Sequence, residues 1–264
     1  MKITMFQVDA FSDKLFGGNP AAVCILEKWL PETRMQAIAA ENNLAETAYI
    51  VSTTGGYEIR WFTPTVEVEL CGHATLASAH VIFNYLDHRE PQILFSSRLS
   101  GLLKVNKDGK RLTLDFPSDI FEKVVTPDVL KKGLGIEPME TYKGKTDYMA
   151  VLPSEQFVAA LEPDFALLNT IKDCRGIIVT AEGKDVDFVS RFFAPQSGVN
   201  EDPVTGSAHT TLTPYWAKTL GKNDLTAIQL SARKGHLWCR YDGNRVHISG
   251  HAVTYMHAEI EVGD

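Results

Sequence analysis

The sequence predicts an α+β protein built from two similar lobes, and three observations carry that reading. First, one punctuation occurs twice. In the first half, Phe62-Thr63-Pro64 is followed by an acidic stretch and by Leu70-Cys71-Gly72-His73-Ala74-Thr75-Leu76. In the second half, Phe193-Ala194-Pro195 leads through Gly198-Val199-Asn200-Glu201-Asp202-Pro203 to Thr205-Gly206-Ser207-Ala208-His209. Second, Tyr49-Ile50-Val51-Ser52 aligns with Ile177-Ile178-Val179-Thr180, and Phe62 with Phe193. The offset stays at about 130 residues, the length of a duplicated domain rather than of a solenoid unit. Third, 264 residues with 44% hydrophobic and 22% charged content suit one large globular domain or two ordinary ones. The plainer alternative is two α+β modules that share only their punctuation.

The elements follow in order. Residues 2–11 alternate polar and apolar as a strand does. Phe16-Gly17-Gly18-Asn19-Pro20 is a turn, and residues 21–26 form a second strand. Residues 31–42 carry Met35, Ile38 and Ala39 at helical spacing, with Pro31 near the start, where proline is tolerated. Residues 47–52 and 57–62 flank Gly55-Gly56 as a hairpin. Residues 72–86 form a helix rich in small and apolar residues, with strands at 92–96, 102–107 and 111–116. The second half repeats the order. Strands are expected at 147–152 and 156–160, a short helix at 163–170, and a hairpin from 176–180 and 186–193. A helix over 206–220 is interrupted by Pro214, and strands follow at 228–231, 235–241, 245–249 and 252–260. The boundary falls between Pro117 and Pro127. It gives an N-terminal lobe of residues 1–117 and a C-terminal lobe of 118–264, whose last strand is able to return to the first lobe.

The bulk numbers exclude several classes. A formal net charge of −7 with no basic block argues against nucleic acid. The alternating N-terminus lacks the continuous apolar core of a signal peptide, and no apolar run is long enough to span a bilayer. A soluble, cytoplasmic protein without a membrane partner is expected. Cys24, Cys71, Cys174 and Cys239 form no CxxC pair, so reduced thiols are expected. Cys71 and His73 with Glu69 resemble a ligand cluster, but residues so close on one loop seldom converge on one ion, and no metal is expected. No GxGxxG fingerprint follows a strand, the Gly17-Gly18 turn lacks the lysine and serine of a P-loop, and no GxSxG elbow occurs.

The repeated punctuation also locates candidate chemistry. A strand that stops at a proline and feeds a glycine-started helix places N–H groups at the helix tip, an anion site. Two such tips suggest two lobes gripping one anionic ligand. Glu46 enters a strand beside apolar residues, and partial burial raises a carboxyl pKa towards a usable proton carrier. Its position alone fits a solvated loop glutamate or a cap partner better. His73 lies one residue into a helix, where a neutral imidazole is favoured; a structural hydrogen bond is the commoner use of such a residue. Asp202 and Ser207 read equally as a helix cap and as a catalytic pair. Cys71 is the tempting nucleophile before a helix N-terminus. Its counterpart in the repeat is Thr205, so a two-thiol racemase would lack its second thiol. His80 and His209 have no special context.

At these residues the chain resembles the PhzF-like phenazine-biosynthesis family, which shares the diaminopimelate-epimerase fold. The matching motifs are Phe16-Gly17-Gly18-Asn19-Pro20-Ala21-Ala22-Val23, Asn43-Leu44-Ala45-Glu46-Thr47-Ala48, Cys71-Gly72-His73-Ala74-Thr75-Leu76-Ala77 and residues 198–208. The resemblance implies two pseudo-symmetric lobes, each a curled, mostly antiparallel sheet around a central helix. It implies that Glu46 is the general acid/base and that His73, Asp202 and Ser207 complete the catalytic set. Asn19, Cys71, Gly72 and Gly206 are then substrate-binding. It further implies no cofactor and a homodimer. One departure is Ala45, where many members carry serine before the glutamate.

The expected function is a cofactor-independent isomerase that shifts a proton within a small anionic, carboxylated substrate. The alternatives are a non-catalytic ligand-binding or partner-binding protein on the same fold, and an amino-acid racemase or epimerase with a second base.

Overall fold

A computed structural model describes residues 1–263. The chain opens with β1 (Lys2–Ala10), β2 (Asn19–Leu26), α1 (Glu32–Asn42), β3 (Glu46–Thr53), β4 (Gly56–Phe62) and β5 (Glu67–Val68). It continues through α2 (Gly72–Tyr85), β6 (Gln92–Ser97), β7 (Gly101–Asp108) and β8 (Arg111–Pro117). Next come β9 (Glu122–Val124), α3 (Asp128–Leu134), β10 (Glu140–Lys143), β11 (Asp147–Val151), α4 (Glu155–Ala159) and α5 (Phe165–Leu168). Then follow β12 (Gly176–Glu182), β13 (Phe188–Ala194), a 3-10 turn (Pro195–Ser197), β14 (Val199–Asp202) and α6 (His209–Leu220). The chain ends with β15 (Asp224–Gln229), β16 (Gly235–Asp242), β17 (Arg245–Gly250) and β18 (Ala252–Glu261). Two compact units result. One comprises Met1–Asp115 together with the chain from Ser249 onward, and the other is Phe116–Ile248. Among the described residues, no helix is long and apolar enough to cross a membrane.

Both units use one pairing scheme. In the first, β18, β1 and β2 are antiparallel neighbours and β2 pairs β3 in parallel. There β4 is antiparallel to β3 and β5 and parallel to β6, and β6, β7 and β8 form an antiparallel run. In the second, β9, β10 and β11 are antiparallel neighbours and β11 pairs β12 in parallel. There β13 is antiparallel to β12 and β14 and parallel to β15, and β15 is antiparallel to β16. Each unit is therefore a mostly antiparallel sheet with two parallel pairings, laid around one helix.

In the first unit that helix is α2, which packs on β1, β2, β3 and β18. Its burial extends over Ala74, Leu76, Ala77, Ala79, Val81 and Ile82, and it includes the polar Thr75 and Ser78. Their hydroxyls turn back on the helix. Thr75 Oγ1 donates to the Cys71 carbonyl at 2.6 Å, and Ser78 Oγ to that of Ala74 at 2.8 Å. This i−4 bonding lets small polar residues lie inside a buried helix without orphaned groups. On the other side of the sheet, Met35, Ile38 and Ala39 of α1 join Ile3, Cys24, Leu26, Tyr49 and Phe62 in a second apolar cluster. The core of the second unit collects Leu130, Leu134, Val158, Leu168, Ile177, Val179, Val189 and Phe193.

Several elements depart from the sequence expectation. Residues 156–160 lie in helix α4, not a strand. Phe157 N–H and Val158 N–H both reach the Ser154 carbonyl, at 3.1 and 3.3 Å. A short apolar run such as Phe157-Val158-Ala159 carries no period that separates the two states, and Ser154 with Glu155 supplies a helix start. Helix α6 begins at His209 rather than Gly206. The N–H groups of His209, Thr210 and Thr211 bond the carbonyls of Gly206, Ser207 and Ala208 at 3.0–3.2 Å, so a tight i→i+3 turn precedes the helix. Helix α3 and the short strands β5, β9, β10 and β14 had no clear periodic signal.

Candidate active site

The first cluster is built where β2, β3 and α2 begin. Strand β2 starts at Asn19 because Gly18 ends the preceding loop at φ 63°. A Cβ on Gly18 would stand 2.1 Å from the Ala10 carbonyl oxygen, so only glycine fits there. The parallel register sets Ala21 beside Glu46 and thereby places Glu46 at the first position of β3. Asn43 closes α1 in the left-handed conformation, φ 47°, and turns the chain towards that strand. Behind Glu46, Thr47, Ala48, Tyr49 and Ile50 are buried. Gly72 is the first residue of α2, with Cys71 extended before it, and His73 is thereby carried into the interior.

These three starts converge. His73 Nε2 lies 3.2 Å from Glu46 Oε2, with the histidine side chain 5% exposed and the glutamate 20%. On the other ring nitrogen, Asn19 Nδ2 stands 3.2 Å from Nδ1 and Cys71 Sγ 3.5 Å. An amide NH2 only donates, so Nδ1 accepts and the ring proton belongs on Nε2, facing Glu46. That approach is short, yet its alignment falls outside hydrogen-bond geometry. Such loose contacts are common in catalytic groups before substrate arrives. Burial drives the His73 pKa down to about 3, so the imidazole is neutral at ordinary pH. The pair is consequently a carboxyl group beside a neutral ring, not a salt bridge.

Ligand atoms of Glu46, Cys71 and His73 lie within 4.8 Å of one another. The acidic member is thus Glu46, 25 positions before Cys71 in the chain, and not the sequence neighbour Glu69. Glu69 is exposed, and its carbonyl takes the Ser100 hydroxyl at 2.6 Å.

The second cluster lies wholly in the other unit. Asp202 ends β14, and the chain then crosses Pro203 and Val204 to Thr205. The Thr205 hydroxyl donates to Asp202 Oδ2 at 2.5 Å. Gln229, at the end of β15 and fully buried, accepts the Thr205 N–H through Oε1 at 2.8 Å. Its Nε2 donates to the Asp202 carbonyl at 2.8 Å and approaches Thr205 Oγ1 at 3.2 Å. His209 Nδ1 lies 2.9 Å from the Thr205 carbonyl, which makes it the protonated nitrogen. Burial lowers the His209 pKa to about 4, against an opposing pull from that carbonyl. Gly206 is buried in the turn before α6, so the expectation that it opens the helix is corrected: the tip of α6 is formed by the turn 206–208. Ser207 is half-buried in the same turn, its carbonyl accepting from Thr210 N–H at 3.1 Å and from the Thr210 hydroxyl at 2.7 Å.

Asn19, Glu46, Cys71, Gly72 and His73 thus come together in one unit, and Asp202, Gly206 and Ser207 lie along one segment of the other. The sequence marks Thr205 only as the counterpart of Cys71, and it gives no role to His209 or Gln229. For Gln229 a signal existed. In β15, Leu225, Ala227 and Gln229 share the buried face, so a glutamine occupies a position whose parity calls for an apolar residue.

Comparison with known proteins agrees over nearly the whole chain. The sequence profile described as phenazine biosynthesis-like protein matches residues 8–258. A Pseudomonas aeruginosa protein named as an uncharacterized isomerase is 55% identical, over 97% of this chain and 98% of its own length. The crystal structure of a PhzF-family phenazine biosynthesis protein from Enterococcus faecalis superposes with a TM-score of 0.96 at 47% identity, covering 99% of this chain and all of that one. A hydroxyproline epimerase from Agrobacterium vitis, with bound trans-4-hydroxy-L-proline, shares the fold at a TM-score of 0.64 and 12% identity, covering all of this chain and 93% of that one. With the duplicated sheet-and-helix scheme and this coverage together, the chain belongs to the phenazine biosynthesis-like, or PhzF, family.

Proposed function

We propose that this isomerase shifts a proton within a small anionic, carboxylated substrate, without a cofactor, and that Glu46 carries the proton. The observation behind the reading is the Glu46 carboxyl held 3.2 Å from a buried imidazole whose pKa burial lowers to about 3. A protonated histidine there would fix Glu46 as a carboxylate and weaken it as a base. A neutral ring imposes no such charge and leaves the carboxylate able to take a proton.

The step balances within substrate and protein. Glu46 removes a proton from a substrate carbon, and the electron pair moves into the adjacent unsaturated system. The resulting Glu46 carboxylic acid, 20% exposed and so able to exchange its proton with solvent, delivers a proton to another carbon. No electron leaves the substrate, so no redox partner enters. The N-terminal end of α2, at Gly72, favours the substrate carboxylate or the developing negative charge. Asp202 and Ser207 are proposed to serve the same reaction, as the family pattern implies. Asn19 and Cys71 steady the His73 ring from its Nδ1 side. Homodimerisation and a cytoplasmic setting belong to the same proposal, and sedimentation equilibrium checks the first.

The test is deuterium wash-in. Small unsaturated carboxylates and amino acids are incubated with the protein in heavy water and followed by proton NMR. An isomerase of this kind exchanges one C–H of its substrate; a protein that only binds the ligand leaves every C–H line intact. A racemase would instead invert a stereocentre while it exchanges.

A further inference from the structure

Thr205 occupies the position that the internal repeat pairs with Cys71, and the chemistry built around it differs from that of a thiol. Its backbone and side chain meet one fully buried glutamine. The orientation of that glutamine is dictated by two backbone groups. Thr205 N–H can only donate, so the atom 2.8 Å from it is the amide oxygen. The Asp202 carbonyl can only accept, so the atom 2.8 Å from it is the amide nitrogen. The nitrogen that approaches Thr205 Oγ1 at 3.2 Å therefore presents an N–H to it. The hydroxyl uses its lone pair there, and its own hydrogen points to Asp202 Oδ2 at 2.5 Å. His209 holds the Thr205 carbonyl from α6 and keeps the segment in register.

We propose that Thr205 is a positioning residue for Asp202. Gln229 fixes the direction of the Thr205 hydroxyl so that it acts as an obligatory donor to the Asp202 carboxylate, favouring its ionised form and fixing its orientation. This inference rests on the reading of Asp202 as part of the reaction only for its functional weight. The geometry applies to Asp202 whatever it does. The repeat position of a second thiol is thus given over to a hydroxyl that serves a neighbouring carboxylate, and it is not itself a proton donor to substrate.

The experiment uses the full chain with 13C-labelled aspartate and follows the Asp202 13Cγ signal against pH, assigned by its loss in Asp202→Asn. Charged and titratable groups on the adjoining elements include Arg191 on β13 and Glu201 on β14, paired with each other at 2.7 Å, and His209 on α6, which holds the Thr205 carbonyl. Each is retained in every Thr205 variant. Removing a hydrogen bond that favours the charged form raises a carboxyl pKa, so Thr205→Val shifts the Asp202 midpoint upward by about one pH unit. Thr205→Ser, which keeps the hydroxyl, restores the wild-type midpoint. Thr205→Ala repeats the first measurement with less steric change, in case the valine variant folds poorly. In the wild-type protein the Thr205 hydroxyl proton is expected as a slowly exchanging line that moves as Asp202 titrates. An unchanged Asp202 midpoint in a folded Thr205→Val or Thr205→Ala protein, or a serine variant that behaves like valine, overturns the proposal. Turnover of Asp202→Asn is read separately: wild-type turnover would remove Asp202 from the reaction while leaving the measured effect of Thr205 on it intact.

Discussion

At the scale of single residues, burial decides the chemistry of the His73 pair. The imidazole sits in the interior with its pKa lowered to about 3, so it is neutral at every pH at which the protein is expected to work. Cys71 touches the same ring at 3.5 Å, but through Nδ1, the nitrogen turned from Glu46. A serine in that place leaves the Asn19 contact to Nδ1 and the Glu46 side of the ring untouched. Cys71→Ser is therefore expected to keep turnover within about tenfold of the parent, about 1.4 kcal/mol of barrier, as read by deuterium wash-in. Abolished turnover in a folded Cys71→Ser protein would point to a thiol mechanism. Local position made the residues of this site legible one at a time, and only the family motifs grouped them as a set. Glu46 entering a strand and His73 beginning a helix each admitted a structural reading, because local position says nothing of what lies across the fold. Their separation of 27 positions is bridged by the parallel pairing of β2 with β3 and by the packing of α2 on that sheet.

Elements show the same division between local signal and tertiary settlement. Pro214 lies inside α6 and removes the N–H that would bond the Thr210 carbonyl. The sequence marks the interruption but not its resolution. Here Asp119 N–H takes the Thr210 carbonyl at 3.1 Å, and Asp119 Oδ2 accepts the Thr211 hydroxyl at 2.8 Å. Its Oδ1 accepts the Ile120 N–H at 2.9 Å and the Lys145 N–H at 3.3 Å. One aspartate, 91 positions before Thr210, repairs the helix from outside. Asp119→Ala should lower unfolding stability by about 1–3 kcal/mol, since it leaves the hydroxyl of buried Thr211 and two loop N–H groups to find other partners. Chemical denaturation measures this, and a loss below about 0.3 kcal/mol would show that water substitutes freely. The start of α6 at His209 had a readable cause only in hindsight. Gly206-Ser207-Ala208 is compatible with either geometry, so nothing in its composition distinguishes a 3-10 turn from a first α-helical turn. The strands around the β3–β4 hairpin were legible because Gly55-Gly56 separates two strand-length apolar runs that pair in register, Thr53 with Gly56 through Thr47 with Phe62.

For the whole molecule, buried His73 and His209 and half-buried His80 tie stability to pH. Burial lowers His73 to about 3 and His80 and His209 to about 4, with Lys107 adding to the shift at His80. In the unfolded chain each titrates near 6.5. As pH falls through that value the unfolded state binds protons that the folded state refuses, so their contribution is present above about pH 6.5 and is lost towards pH 4. Each fully engaged histidine contributes a slope of about 1.4 kcal/mol per pH unit, and three give about 4. The unfolding free energy should fall between pH 6.5 and 5, above the range where Glu67, Glu140 and Asp187 begin to protonate, their carboxyl pKa values being lowered in the folded state. His80→Gln should remove about one third of the slope, and a flat profile over that window would contradict the assignment of neutral buried rings. The duplicated scheme was legible at this scale because two FxP punctuations and an offset of about 130 residues survive in the sequence. The return of β18 to pair with β1 from Lys2↔Glu261 to Ala10↔Ala252 is a pairing across nearly the full chain. Alternation in each strand announces two strands and cannot announce that they are neighbours. The claim on which the functional account stands is that Glu46 moves the proton. It is tested most directly by comparing deuterium wash-in for wild type and Glu46→Gln on one substrate that the wild type exchanges. Glu46→Gln is predicted to fold normally, to bind that substrate with similar affinity, and to exchange its C–H about 10²–10⁴-fold more slowly; exchange at the wild-type rate would contradict the account.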